Sequence, residues 1–218
     1  MRVNPFMVLA AFAADFGRLS RLLGDDARQA LGEALAELRA AGLDREPAAE
    51  RAARTVLDAL PAAEGARLRQ DGDPGRYAGP PAAALHEGYA AVDLCMLVLD
   101  GNPMVGPVLG PVRERLLAQP ALEWWPHADP LLIALSGEDG RRRLPLFQFE
   151  AGTLPWRIVP EVNSVLCAQT DPWGSADWWL SRTTWWDGTP ADLLGRGRDA
   201  ELLGAARALA AVADGGGE

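Results

Sequence analysis

The chain of 218 residues contains no lysine; all 21 of its basic residues are arginine. A Gly-Lys-Ser/Thr phosphate loop is therefore excluded, and no Gly-x-Gly-x-x-Gly run follows a strand-like segment. Histidine and cysteine are scarce, with two of each. His86 and His127 have no companions at metal-ligand spacing. Cys95 and Cys167 lie in apolar or helical surroundings without Cys-x-x-Cys spacing, so both read as inert thiols with no disulfide between them. No apolar run is long enough to span a bilayer, because Asp15, Arg18 and Arg21 interrupt the N-terminal one. A cytoplasmic, reducing location is the expectation. Positive charge is in deficit. A net charge of −9 argues against general nucleic-acid binding, which uses clustered cations to replace counterions. No nucleophile–base pair and no metal set is visible. The chain therefore reads as a non-enzyme without a cofactor.

What is present is a helical alphabet with punctuation. Asn4-Pro5 reads as an N-cap with proline at the first helical position, followed by Phe6, Leu9, Phe12, Phe16, Leu19 and Leu23 near helical spacing. Leu31, Leu35 and Leu38 give a second stripe, ended by Gly42. Pro47 opens a third, with Ala49, Ala53, Val56, Leu57 and Leu60. Residues 1–70 thus predict an N-terminal helical bundle with balanced charge, ten arginines against ten acids.

Residues 71–130 predict an acidic middle segment that is part helical and part irregular. Over 71–140 three arginines face ten acids. A loop is expected over 71–81, a buried helix carrying Leu85 to Leu99, irregular backbone over 103–111 and a short helix from Arg113 to Gln119. Residues 131–218 form the third expected region. Leu131–Leu135 and Leu144–Phe149 flank Gly137-Glu-Asp-Gly140 and predict a β-hairpin; Pro145 should lie on an edge strand or pair on one side only. Pro160 is expected to start a helix. Asp171-Pro172 should cap a second, bearing Trp173 and Trp179. Thr189-Pro-Ala-Asp192 is a capping box, and Asp199 should cap a last helix with Leu202, Leu203, Ala206, Leu209 and Val212. Asp214-Gly-Gly-Gly-Glu218 reads as a frayed tail.

All eight tryptophans fall between Trp124 and Trp186. The pairs 124/125, 178/179 and 185/186 can be anchors at a partner interface, where tryptophan buries much area with few rotamers. They can equally be one core residue beside one partly exposed residue, since neighbours on a helix do not face the same way.

Taken in order, the strand Leu144-Pro-Leu-Phe-Gln-Phe149, Asp171-Pro-Trp173, Trp178-Trp-Leu180 and Gly188-Thr-Pro-Ala-Asp-Leu-Leu-Gly195 resemble the C-terminal toxin-binding domain of the Xre/MbcA/ParS antitoxin family. The resemblance covers about residues 143–213. It implies a mainly α protein whose C-terminal helices bind a protein toxin and block its active site, many such toxins being RES-domain proteins that degrade NAD. The residues it points to are Trp173, Trp178, Trp179, Trp185, Trp186, Thr189, Asp192, Leu193, Leu194, Leu202 and Leu209. The N-terminus departs from the family pattern. Residues 1–70 lack the polar recognition helix of a helix-turn-helix, which puts DNA binding in doubt. The alternative is a self-associating scaffold, a homo-oligomer built through the N-terminal bundle.

Overall fold

The computed structural model describes residues 3–73 and 84–215, with side chains to residue 212. The fold is mainly α with small antiparallel β elements. The chain divides into two compact units, Met1–Pro111 and Val112–Glu218. The middle segment 71–130 is accordingly no unit of its own. Its first helix packs into the N-terminal unit, and its last strand pairs within the C-terminal one.

The N-terminal unit is built around α1 (Pro5–Ala14). Asn4 Oδ1 accepts from the Phe6 N–H at 3.0 Å and caps it. Every residue from Pro5 to Ala13 is buried, so this helix has no polar face and sits among its neighbours. The single helix expected to reach Leu23 breaks at Asp15. There the carboxylate accepts from Arg18 at 2.6 Å and Arg67 at 2.8 Å, and the short α2 (Phe16–Leu19) and a 3-10 turn (Ser20–Leu22) follow. Against α1 pack α4 (Glu46–Ala59), α5 (Ala62–Asp71) and α6 (Ala91–Leu99), while α3 (Asp25–Ala40) packs on α4 and α6.

The last turn of α5 occupies the start of the expected 71–81 loop; residues 74–81 of that loop lie outside the described residues. Gly72, which ends α5, accepts the Asn4 N–H at 2.8 Å, and a Cβ there would lie 2.5 Å from Val3 Cγ1 and 2.9 Å from Val8 Cγ2, so any larger residue would have to displace those side chains.

The buried helix expected from Leu85 starts later. A hairpin of β1 (Leu85–His86) and β2 (Tyr89–Ala90) turns through Glu87 and Gly88, both at positive φ, which is type I′ geometry. Only then does α6 begin, its first turn fixed by the Asp93 carboxylate accepting from the Ala90 N–H at 2.8 Å. The irregular backbone expected over 103–111 is also corrected. From Gly106 onward the chain is helical as α7 (Gly106–Leu117). Pro107 falls in the first turn, where a missing N–H costs nothing, and Pro111 lies inside.

In the C-terminal unit β3 (Ala121–Glu123), β4 (Leu135–Ser136) and β5 (Arg142–Pro145) form an antiparallel sheet in the order β3-β5-β4. The expected hairpin exists, but its paired residues are Leu135 with Arg143 and Ser136 with Arg142. Residues 131–134 are not strand, and Leu146–Gln148 is a 3-10 turn. β5 is the central strand. Pro145 sits at its end, past the reach of β4, and pairs only with Ala121. Phe149 then enters a second hairpin, β6 (Phe149–Ala151) with β7 (Leu154–Pro155).

Three helices complete the unit: α8 (Ile158–Val165), which starts two residues before the expected Pro160; α9 (Pro172–Leu180); and α10 (Asp199–Gly215). Asp199 is the first residue of α10, not its cap. The Arg198 carbonyl accepts from the Leu202 N–H at 3.1 Å. Residues 216–218 of the expected tail lie outside the described residues. Among the described residues no helix is long and apolar enough to cross a membrane.

Candidate functional site

The Phe-Gln-Phe run folds around one polar side chain. Gln148 has no exposed surface. Its Oε1 accepts from the Ile133 N–H at 2.7 Å, and its Nε2 donates to the Ile133 carbonyl at 3.0 Å and the Pro145 carbonyl at 3.3 Å. The amide thus does for residue 133 what a neighbouring strand would do. Asn163 on α8, equally buried, donates to the Leu131 carbonyl at 2.8 Å and to Gln148 Oε1 at 3.3 Å. Its own Oδ1 accepts from the Trp179 indole N–H at 2.8 Å. Strand, loop, α8 and α9 are therefore joined by a buried network whose groups are all paired.

That network holds Trp179, one of the expected binding residues. Trp179 is fully buried, with its ring 5.4 Å from Phe147 and 5.1 Å from Trp178. Trp173, Leu193 and Leu202 are buried as well. These four were expected on a binding surface and belong instead to the core of this unit. Spacing does not separate the two roles, because the same apolar residues serve a core and an interface alike. Trp178 lies half-buried beside Trp179, the division that adjacent helical positions impose.

The remaining expected residues come together over 178–194 and on α10. Asp171 caps α9 by accepting from the Gly174 N–H at 2.8 Å. After α9 the chain makes a tight loop closed by a bridge between Thr183 and Gly188, with the Thr183 N–H donating to the Gly188 carbonyl at 3.2 Å. Trp185 and Trp186 occupy this loop, ring centroids 6.2 Å apart and edge to face. Trp185 is 61% exposed; Trp186 is half-buried. At the loop's end Thr189 and Asp192 form the capping box. The Asp192 carboxylate accepts from the Thr189 N–H at 2.8 Å, and Thr189 Oγ1 accepts from the Asp192 N–H at 3.3 Å. Both side chains are thereby committed to the backbone. The Thr189 hydrogen bonds hold the Asp192 carboxyl below its ordinary value.

Leu194, half-buried, leads to Gly195 at φ +72, where a Cβ would meet the Trp156 ring at 2.8 Å. Next come Arg198 and Glu201, an ion pair that holds the Glu201 carboxyl low, with a smaller contribution from the Trp186 side chain. Along α10, Leu209 and Val212 are exposed while Leu202, Ala205 and Ala206 face inward.

Two features were missed in the sequence. One is the Gln148–Asn163 network, whose signal was a lone amide between two phenylalanines. The other is Trp124, which lies under the Arg142 guanidinium at 4.6 Å from the ring centroid. Of the residues set aside earlier, Cys95 is buried and its thiol is pushed up to about 11 by that burial, whereas Cys167 is exposed at φ +55. Among the described residues no three His, Cys, Asp or Glu side chains gather as a metal site would require.

The chain matches no known protein family, no characterised protein and no solved structure.

Proposed function

We propose that the chain is a non-enzymatic, antitoxin-like protein-binding module that neutralises a partner toxin, of RES-domain type, by covering its active site. The observation that carries this reading is Trp185. A large aromatic side chain stands 61% exposed on a loop closed by the Thr183–Gly188 bridge and by the capping box behind it. Exposed tryptophan on a fixed support is a costly residue for solvent and a favourable one for an interface. The binding surface is therefore reduced from the sequence expectation. Trp185 leads, Trp178, Trp186 and Leu194 border it, and Leu209 lies along α10. Trp173, Trp179, Leu193 and Leu202 are buried in the unit that carries it.

The test is affinity purification of the full chain from its native host, with Trp185→Ala in parallel. A RES-type protein recovered in stoichiometric yield with the parent, and lost with Trp185→Ala, is the expected result. Recovery of the chain alone as a defined oligomer would replace this reading with the scaffold. Undiminished capture by Trp185→Ala would show that the surface has been misplaced.

A further inference from the structure

The N-terminal unit contains a cavity of about 590 Å³ between the α2 and 3-10 turns, α3 and the end of α6. Phe16, Leu23, Leu31, Gly32, Leu97 and Val98 contribute its apolar wall. Its volume falls in the range of about 300–1,000 Å³ typical of small-molecule sites, which are mostly apolar with a few orienting polar groups. We propose that it binds a free medium-chain alkyl carboxylate. This site is independent of the aromatic loop and of the function proposed for it.

Gly32 is the first reason. It lies in the middle of α3, where glycine weakens a helix, and its φ is ordinary. A Cβ built on it meets nothing within 4 Å, so no neighbouring element needs the space. Packing therefore does not explain the glycine. What its missing side chain does is leave the cavity wall open.

The polar groups supply the second reason. Ser20, Arg28, Gln29 and Glu33 also line the cavity. Glu33 is engaged by the Gln29 amide, which donates to it at 3.1 Å. Among the described residues Arg28 pairs with Asp25 at 2.8 Å, the two side chains being 52% and 96% exposed. So exposed an ion pair is weak and gives way to a competing carboxylate. The guanidinium fork matches a carboxylate in shape and charge, while the apolar wall accommodates the alkyl chain.

Calorimetric titration of the full-length protein with decanoate, dodecanoate and decan-1-ol tests this. Dodecanoate should bind more tightly than decanoate, about fourfold per methylene, equivalent to about 0.8 kcal/mol each. Decan-1-ol should bind more weakly than decanoate, and Arg28→Gln should remove that difference. Gly32→Leu places its side chain in the open space and should reduce binding at least tenfold. Its thermal midpoint should be unchanged or higher, since leucine is the better helix former. Absence of binding by either acid would overturn the proposal. So would a Gly32→Leu protein that binds decanoate like the parent, or a dimer broken by Gly32→Leu in a chain that takes up neither acid.

Discussion

Replacing Gln148 with leucine tests whether the buried amide network holds the C-terminal unit together. The substitution conserves size and adds apolar surface, so simple packing arguments predict little harm. The hydrogen bonds predict otherwise. Ile133 is fully buried, and Gln148 satisfies both its N–H, at 2.7 Å, and its carbonyl, at 3.0 Å. Leucine leaves both without a partner, at about 1–3 kcal/mol for each stranded group. Asn163 keeps its bond to the Leu131 carbonyl and loses only the longer one to Gln148. After allowance for the apolar gain, the net loss should be about 2–4 kcal/mol. With a urea dependence of about 1–3 kcal/mol per molar, the unfolding midpoint should fall by roughly 1–2 M. Tryptophan fluorescence is the assay, because all eight tryptophans lie within Val112–Glu218 and report that unit alone. A double-mutant cycle with Asn163→Ala should show coupling of about 0.5–3 kcal/mol. A Gln148→Leu midpoint indistinguishable from the parent would refute the reasoning, since the Ile133 groups would then not depend on the amide.

Trp179→Ala should cost about 3–5 kcal/mol in the same fluorescence assay, as a fully buried aromatic does. Trp185→Ala should change stability by less than about 0.5 kcal/mol. It should nonetheless weaken binding of the proposed partner by about 2–4 kcal/mol, and equal effects on stability from the two variants would contradict the assigned burial. Glu64 is held at about 2 by hydrogen bonding to Arg18, with Arg67 adding a smaller share. Because its carboxyl is depressed on folding, its contribution is complete above the ordinary carboxylate range and is lost as pH falls through about 2. Carboxyl NMR should follow that titration, and Arg18→Gln should move it back toward 4.5. A thiol reagent at pH 8 should modify Cys167 alone in the native protein and both cysteines in urea, because Cys95 is buried with its thiol raised to about 11; two rapid equivalents in the native state would show that helix α6 opens.

The caps were legible because they are local chemistry. Asn4-Pro5, Asp171-Pro172 and Thr189–Asp192 each place an acceptor within three residues of the N–H it satisfies, so no tertiary information is needed. The mainly helical class followed from periodicity for the same reason. The strands were harder. Leu131–Ile133 looks like half a hairpin, yet both Ile133 backbone groups and the Leu131 carbonyl bond to side chains fifteen and thirty-two residues away, while the Leu131 and Leu132 N–H groups turn back to Asp129. An alternation pattern cannot show that an amide will take the place of a strand. Helix α1 misled in another way. Its apolar stripe was real, but its alanines are buried too, and small residues give no sign of which face meets solvent. The binding residues divided by the same logic: spacing placed Trp178 and Trp179 on one helix, and only packing decided which of them became core.

The distribution of tryptophan between core and surface bears on how the proposed binding would work. An exposed aromatic on a mobile loop forfeits affinity, because ordering the loop on contact costs entropy that the contact must first recover. Trp185 sits on a restrained loop and has less of that freedom to lose. The Thr183–Gly188 bridge closes its loop, and the capping box fixes the segment that follows. On α9, the helix that leads into the loop, Trp179 is locked to Asn163 and through it to Gln148. The buried tryptophans and their amide partners therefore act on binding indirectly, by holding the exposed one in place. This separates two kinds of variant. Trp185→Ala removes contact area, so it should speed dissociation and leave the free protein unchanged. Asn163→Ala leaves every surface atom in place but loosens the support, so it should weaken binding only to the extent that it raises hydrogen exchange in residues 183–192. If Asn163→Ala weakened binding without that rise, the amide network would have no part in presenting the loop, and the tryptophan would have to be held by the partner itself.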